Sequence, residues 1–235
     1  MARHLTYSIL FSMFLVISLL LPLSAKADEM GDQARTIFES SRAAVVTLKM
    51  VVSISYGQEE QENETEANAT VISPDGLAVL SLTAVDPVSM FQSMGDTPEG
   101  MSSKLVSLKM VMADGSEKAA DIVLRDKDLD LAFVRPTEKP EPVMAFVSLE
   151  TIGQPKILDP IVVIGQLGPV AQRAHMAFVD RIESIVEKPR KFYIMGEHRA
   201  QQVVCSPAFT LTGQFVGVGV MRTVKSGSND FSRDN

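Results

Sequence analysis

The feature that most constrains this chain is its succession of short β-type runs, each followed by a turn signal. Between residues 43 and 220, runs rich in valine, isoleucine and other strand formers are separated by Gly, Pro, Asp and Ser. The Pro and Gly of residues 73–76 and the Asp and Gly of residues 113–116 suit tight reversals between strands. Many short strands with little helix predict an all-β fold, either a barrel or a sandwich.

The order of these runs predicts two similar halves. A short helix is predicted over residues 30–42, ahead of the strands. Residues 58–68 are polar, contain five glutamates and no large apolar residue, and predict a solvated loop. Three prolines within residues 135–143 mark a linker-like break between the halves. Strands are predicted over residues 45–56, 70–72, 77–80, 105–112, 120–124, 131–134, 161–165, 174–179, 182–186, 192–195, 203–204 and 214–220.

The first residues have the order of a secretory signal peptide. A short polar start containing Arg3 precedes an almost wholly apolar run over residues 9–23, and Ala-Lys-Ala at 25–27 is a small-x-small cleavage signal. We therefore expect residues 1–27 to be a signal peptide and the protein to be secreted or periplasmic, with no stable membrane span after cleavage. The alternative is an uncleaved anchor, although the run is short for a span of ~20 residues.

Charge and cysteine content exclude several classes of protein. The formal net charge is −7, so the chain lacks the basic footprint of nucleic-acid binding and we expect no nucleic-acid partner. Cys205 is the single cysteine, so no intramolecular disulfide is possible. Residues 223–235 are polar and rich in Ser, Asp and Asn, and predict a disordered tail. Nothing in the sequence indicates the oligomeric state.

Four segments carry a resemblance to a known family. ISPDGLAV at 72–79 and DKDLDLAFV at 126–134 resemble a turn-and-strand and an aspartate-bearing strand of HtrA-type trypsin-like serine proteases. DPIVVIG at 159–165 is similar to the strand that opens that family's second barrel. CSPAFTLTGQFVG at 205–217 is similar to the segment after its nucleophile, with the proline and two glycines at matching spacing.

The resemblance implies a fold and a domain plan. The family's protease domain consists of two antiparallel six-stranded β-barrels with the active cleft between them. Carried over to this chain, that gives a peptidase domain at 28–222, with a first barrel at about 43–135 and a second at about 144–222. The residues after Thr223 are too few for the PDZ domain that commonly follows in the family.

The resemblance also places the catalytic triad, and two of its three positions have changed. Thr83 stands where the histidine belongs, Asp130 falls on the aspartate, and Val204 occupies the nucleophile position. A threonine hydroxyl cannot act as the general base, and valine cannot attack a carbonyl. The glycine-rich oxyanion loop becomes Gln-Val-Val-Cys-Ser at 202–206, where β-branched residues favour a plain strand. We expect no active catalytic residue and a misshapen oxyanion hole.

Several residues near these positions have alternative interpretations. Asp130 is either a relic of the triad or a structural acid bonded to nearby backbone N–H groups and to Thr83. Ser206 is a candidate nucleophile only if the alignment shifts by two residues. Cys205 is either a reactive thiol or a small buried hydrophobic residue. His175 and His198 are read as ordinary surface residues of strands or loops.

The sequence therefore supports two functions and no cofactor. The spacing of His, Cys, Asp and Glu indicates no metal site, and no phosphate-binding glycine loop is present, so no cofactor is expected. One hypothesis is a pseudoprotease that binds a peptide or protein in the cleft between the barrels. The other is an active serine endopeptidase with a non-standard nucleophile. The sequons at Asn63 and Asn68 would be used only in a host that glycosylates secreted proteins.

Overall fold

The computed structural model describes residues 23–94, 98–188, 190–196 and 204–220. Its helices are α1 (Leu23–Ser41), α2 (Leu82–Val85) and α3 (Val88–Met94), with 3₁₀ turns at Arg42–Ala44 and Pro169–Ala171. Its strands are β1 (Val45–Tyr56), β2 (Glu59–Val71), β3 (Ala78–Ser81), β4 (Met101–Val111), β5 (Glu117–Asp126), β6 (Leu131–Pro136), β7 (Pro160–Gln166), β8 (His175–Val186), β9 (Phe192–Met195), β10 (Pro207–Thr210) and β11 (Phe215–Val218). The predicted all-β class with a short N-terminal helix is confirmed.

Strands β1 to β6 form a closed barrel in the order β1-β2-β3-β6-β5-β4, with every neighbouring pair antiparallel. The period-two pattern of β1 aims Leu48, Met50 and Val52 into the barrel, where each is almost fully buried. Leu80 and Met110 fill the same interior from β3 and β4. The barrel is therefore a packed core and not a pore.

The second sheet is half of a barrel. Its described strands number five, in the order β11-β10-β7-β8-β9, and β7 lies at its centre. Ile161, Val162, Val163 and Ile164 of β7 have no exposed surface, because α1 packs on one side of the strand and the β8–β10 residues pack on the other. Strand β9 at one edge covers the residues predicted for it, whereas the two predicted strands at 174–186 are one continuous strand, β8.

The acidic segment is a strand and not the solvated loop that we predicted for residues 58–68. Gly57 has φ of +61° and forms, with Gln58, the two-residue turn of a long hairpin. From that turn, β2 pairs with β1 over its whole length, from Tyr56↔Glu59 to Val45↔Thr70. Cross-strand pairing with an apolar neighbour thus outweighs the low strand propensity of glutamate.

Several predictions concern residues outside the described part of the chain. The signal peptide at residues 1–27 lies outside it up to residue 22, and the Ala-Lys-Ala signal falls within α1. His198 and the predicted disordered tail at 223–235 also lie outside it. Over the residues that are described, no helix is both long and apolar enough to cross a membrane.

Candidate functional site

A cleft of about 370 Å³ separates the closed barrel from the second sheet. Strands β1 and β2 form one wall, and the end of β7 with the loop after it forms the facing wall. The side chains that matter below are Thr47, Asn68, Ala84, Gln166, Met176 and Val204. Of the residues predicted from the triad resemblance, Val204 lines this cleft together with Ala84, the neighbour of Thr83, whereas Thr83 and Asp130 are not among the lining residues.

Asp130 is the centre of a hydrogen-bond network on the barrel side of the cleft. Its Oδ1 accepts bonds from the backbone N–H and the hydroxyl of Thr83, both at 2.9 Å. Its Oδ2 accepts a bond from the buried hydroxyl of Ser81. Its backbone carbonyl accepts the N–H of Leu82 at 2.9 Å. Asp130 therefore accepts two of the free N–H groups in the first turn of α2. It caps this helix although it lies far from it in the sequence.

This geometry favours the structural interpretation of Asp130. The residue has a φ of +54°, a left-handed conformation that aspartate tolerates better than most side chains. Both carboxylate oxygens are occupied by groups of the segment 81–83. Thr83 directs its hydroxyl hydrogen to Asp130. Asp130 and Thr83 therefore make their side-chain hydrogen bonds with each other and with Ser81.

The segment 204–206 lies next to this network, because Ser81 contacts both Asp130 and Cys205, and it is held by the barrel. Val204 forms a parallel bridge with Gly219, and the Cys205 N–H donates to the Gly219 carbonyl at 2.8 Å. The Cys205 carbonyl accepts the Thr70 hydroxyl at 3.3 Å, and its thiol accepts the Ser81 N–H at 3.1 Å. Cys205 has a φ of +65°, a left-handed conformation that favours glycine, so the chain turns sharply at this residue.

Cys205 belongs to the core of the barrel although it lies in the second half of the sequence. Its side chain is 1 % exposed and packs among the barrel residues. Burial raises the pKa of the Cys205 thiol from 9.0 to about 12, because the apolar surroundings disfavour the thiolate. At neutral pH the thiol is protonated, so it is unsuited to nucleophilic attack.

Ser206 and His175 do not supply the missing chemistry. Ser206 is 1 % exposed, and a Cβ added at Gly165 would stand 3.2 Å from its hydroxyl oxygen, so the serine lies beneath β7. His175, the one histidine that the structure describes, lies on β8 with its Nε2 3.4 Å from the Val45 carbonyl oxygen. Neither side chain is among those that line the cleft.

The polar groups of the cleft connect its two walls. The hydroxyl of Thr47 on β1 donates to the side-chain oxygen of Gln166 at 2.7 Å, and Asn68 on β2 donates its amide N–H to the Gln166 carbonyl at 2.9 Å. Near the rim, Arg173 forms a two-pronged ion pair with Glu66. Sequence reasoning missed these residues, since they lie about a hundred positions apart. Asn68, noted only as a sequon, has its amide nitrogen engaged in this link.

Within the described segments, no three His, Cys, Asp or Glu side chains lie close enough together to hold a metal ion. The cleft therefore combines an apolar segment at 204–205 with a small set of amides and hydroxyls, and the internally satisfied Asp130 is outside its lining. Comparison with protein-family models gives no match for this chain, and comparison with curated proteins gives none either.

Proposed function

We propose that this chain is an exported homologue of the HtrA-type trypsin-like serine proteases that has lost catalysis and binds a peptide or protein segment in its cleft. The observation that carries the proposal is the environment of Thr83, Asp130 and Val204. The first two are hydrogen-bonded to each other at one side of the cleft, and the third presents an apolar side chain to it. A triad needs a nucleophile, a base and an orienting acid in sequence along one hydrogen-bonded path.

Binding remains possible where catalysis is lost, because the cleft offers the features that peptide grooves use. It has apolar surface from Met176 and Val204, and polar groups from Gln166 and Asn68 that are fixed by mutual hydrogen bonds. Fixed polar groups set the orientation of a ligand while apolar surface supplies most of the affinity. An extended segment with small apolar side chains suits a cleft of about 370 Å³.

Blocking the cleft without disturbing the fold tests this proposal. Gly168 lines the cleft, has a φ of −68°, and has no atom within 4 Å of the position of an added Cβ. The substitution Gly168→Trp therefore adds a large side chain to the wall at little cost. We expect the purified chain to bind fluorescein-labelled peptides from digested casein, and Gly168→Trp to weaken that binding at least about tenfold, measured by fluorescence anisotropy.

The matched control is Val170→Trp, which places the same aromatic residue two positions along the same loop. Val170 is fully exposed and does not line the cleft. Binding by this variant should equal that of the parent chain. Equal binding by Gly168→Trp and the parent would place any peptide site elsewhere, and complete absence of peptide binding by the parent would remove the proposal.

A further inference from the structure

Strand β2 has a long edge beside which no described strand lies. It pairs with β3 only at Thr70↔Val79 and Val71↔Ala78, whereas it pairs with β1 from Glu59 onward. Within the described residues, the only backbone hydrogen bonds of residues 59–65 are those to β1. Unpaired N–H and C=O groups along a regular strand are a template for an added strand. Among the described residues, the barrel thus has an open strand edge outside the cleft.

The outer face of this edge is acidic and regularly spaced. Alternate residues of a strand point to one face, which places Glu60, Glu62 and Glu64 in a row on the outside of the barrel. Their neighbours Asn63 and Thr65 face the other way, opposite the buried Val52 and Met50 of β1. The row is therefore fixed in register by the barrel core and cannot turn inward.

The charges of this row are largely uncompensated. Glu60 accepts a hydrogen bond from Ser53, while Glu62 and Glu64 have no ion-pair or hydrogen-bond partner among the described residues. The facing positions on β1 are Ser53 and Val51, which carry no charge. Lys104 of β4 lies on the far side of Ser53, two strands away from Glu62. An incoming strand would therefore meet negative charge at every second position.

Charge decides which partner this edge accepts. A second copy of β2 would place glutamates opposite glutamates, which destabilises a strand pair. A segment with lysine or arginine at alternate positions would place opposite charges together, which stabilises a strand pair. We propose that the edge of β2 over residues 59–65 binds a basic, extended peptide segment of a partner protein by strand addition. This site is independent of the cleft and of the function proposed for it.

A synthetic peptide about nine residues long, with lysine alternating with threonine or valine, is the probe. Binding is measured by fluorescence anisotropy at about 50 mM salt, where surface charge is weakly screened. A second peptide of the same sequence has its backbone nitrogens methylated at alternate positions, which removes strand hydrogen bonds and keeps every charge. We expect the first peptide to bind. The methylated peptide is made in both alternating registers, and in one of these registers it should bind at least about tenfold more weakly.

Substitutions then test the row itself. The double variant Glu62→Gln with Glu64→Gln should weaken binding about fivefold or more. The double variant Glu150→Gln with Glu187→Gln removes the same charge from exposed positions outside β2 and should leave binding unchanged. Gly168→Trp should also leave it unchanged, which separates this site from the cleft.

Amide hydrogen exchange locates the peptide. The proposal requires new protection over residues 59–65. Strands β4 and β5 supply an internal comparison, because they pair only at Lys109–Val111 with Glu117–Ala119 and leave residues 101–108 unpaired toward β5. Protection at that gap or at the cleft, equal binding of all the methylated peptides, or dimerisation of the free chain through residues 59–65 would each overturn the proposal.

Discussion

Two neighbouring groups of residues beside the cleft are held by different kinds of contact. In the first group, Asp130 and Thr83 are polar and partly exposed, but the N–H and the hydroxyl of Thr83 both donate hydrogen bonds to Asp130. In the second group, residues 204–206, Cys205 and Ser206 carry a thiol and a hydroxyl that act as nucleophiles in many enzymes, but both residues are almost fully buried. The first group is held by hydrogen bonds, and the second is held mainly by burial. Polar groups beside one cleft are thus kept in place by two different kinds of contact.

Removing the Asp130 carboxylate should disrupt its hydrogen bonds and cause the largest loss of stability among the substitutions below. Asp130→Asn keeps a side chain that tolerates a positive φ but leaves the Ser81 hydroxyl or the Thr83 N–H and hydroxyl without an anionic acceptor. We expect a loss of about 3 kcal/mol in the free energy of unfolding, measured by urea denaturation. The control Asp121→Asn on the exposed face of β5 should change it by less than about 0.5 kcal/mol. A small loss for Asp130→Asn would show that the network adds little stability.

The burial of Cys205 predicts a specific loss of stability in alkali. The folded thiol has a pKa raised to about 12, so the folded chain keeps a proton that the unfolded chain releases above pH 9. The contribution is complete below pH 9 and declines from there toward pH 12. At pH 10 the loss amounts to about 1.4 kcal/mol.

The measurement compares urea denaturation of the parent chain and Cys205→Ala at pH 7 and pH 10. Lysine and tyrosine titrate in both proteins, so the difference in the pH dependence isolates the thiol. The parent should lose about 1.4 kcal/mol more than the variant. Equal losses, together with rapid alkylation of the native thiol at pH 7, would identify Cys205 as accessible and reactive.

The hydrogen bond between Thr47 and Gln166 across the cleft should contribute less to stability, because solvent reaches it. Gln166→Ala removes the acceptor of the buried Thr47 hydroxyl. Water in the cleft can take the place of the amide, so we expect a loss of about 1 kcal/mol in the free energy of unfolding. Gln58→Ala, in the exposed hairpin turn, is the control and should change little. A loss for Gln166→Ala above about 3 kcal/mol would mean that the two walls depend on this one contact.

The ion pair at the rim should have the smallest effect. Arg173 and Glu66 have side chains that are 28 % and 18 % exposed, and their pairing is partly screened by solvent. Arg173→Gln should lower the free energy of unfolding by less than about 1 kcal/mol, and the loss should shrink further at about 1 M salt. A loss that is large and independent of salt would contradict this ranking.

The sequence predicted the apolar parts of the fold and not the polar ones. The run of β7 and the Pro-Asp-Gly turn before β3 are local signals, so they could be read directly. Only the end of β2 was predicted, at residues 70–72; its acidic part was missed because its strand character comes from pairing with β1 and not from its own glutamates. Strand β10 begins at Pro207, which local patterns treat as a breaker.

The site was predictable only as far as the family resemblance reached. It placed Thr83, Asp130 and Val204 near one another, and the geometry brings Thr83 into contact with Asp130. It gave no sign that the Gln166 amide would join the walls, because that residue and Thr47 are 119 positions apart in the chain. Contacts of this kind depend on tertiary packing, and no local periodicity encodes them.

Covalent labelling decides whether the cleft can catalyse. The purified chain is incubated with a fluorophosphonate serine probe and, separately, with unfolded casein, beside an active trypsin-like protease as a positive control. Because Val204 cannot be labelled and Ser206 is buried, we predict no adduct by mass spectrometry and no casein fragments. An adduct or cleavage that disappears in Ser206→Ala or Cys205→Ala would contradict the loss of catalysis.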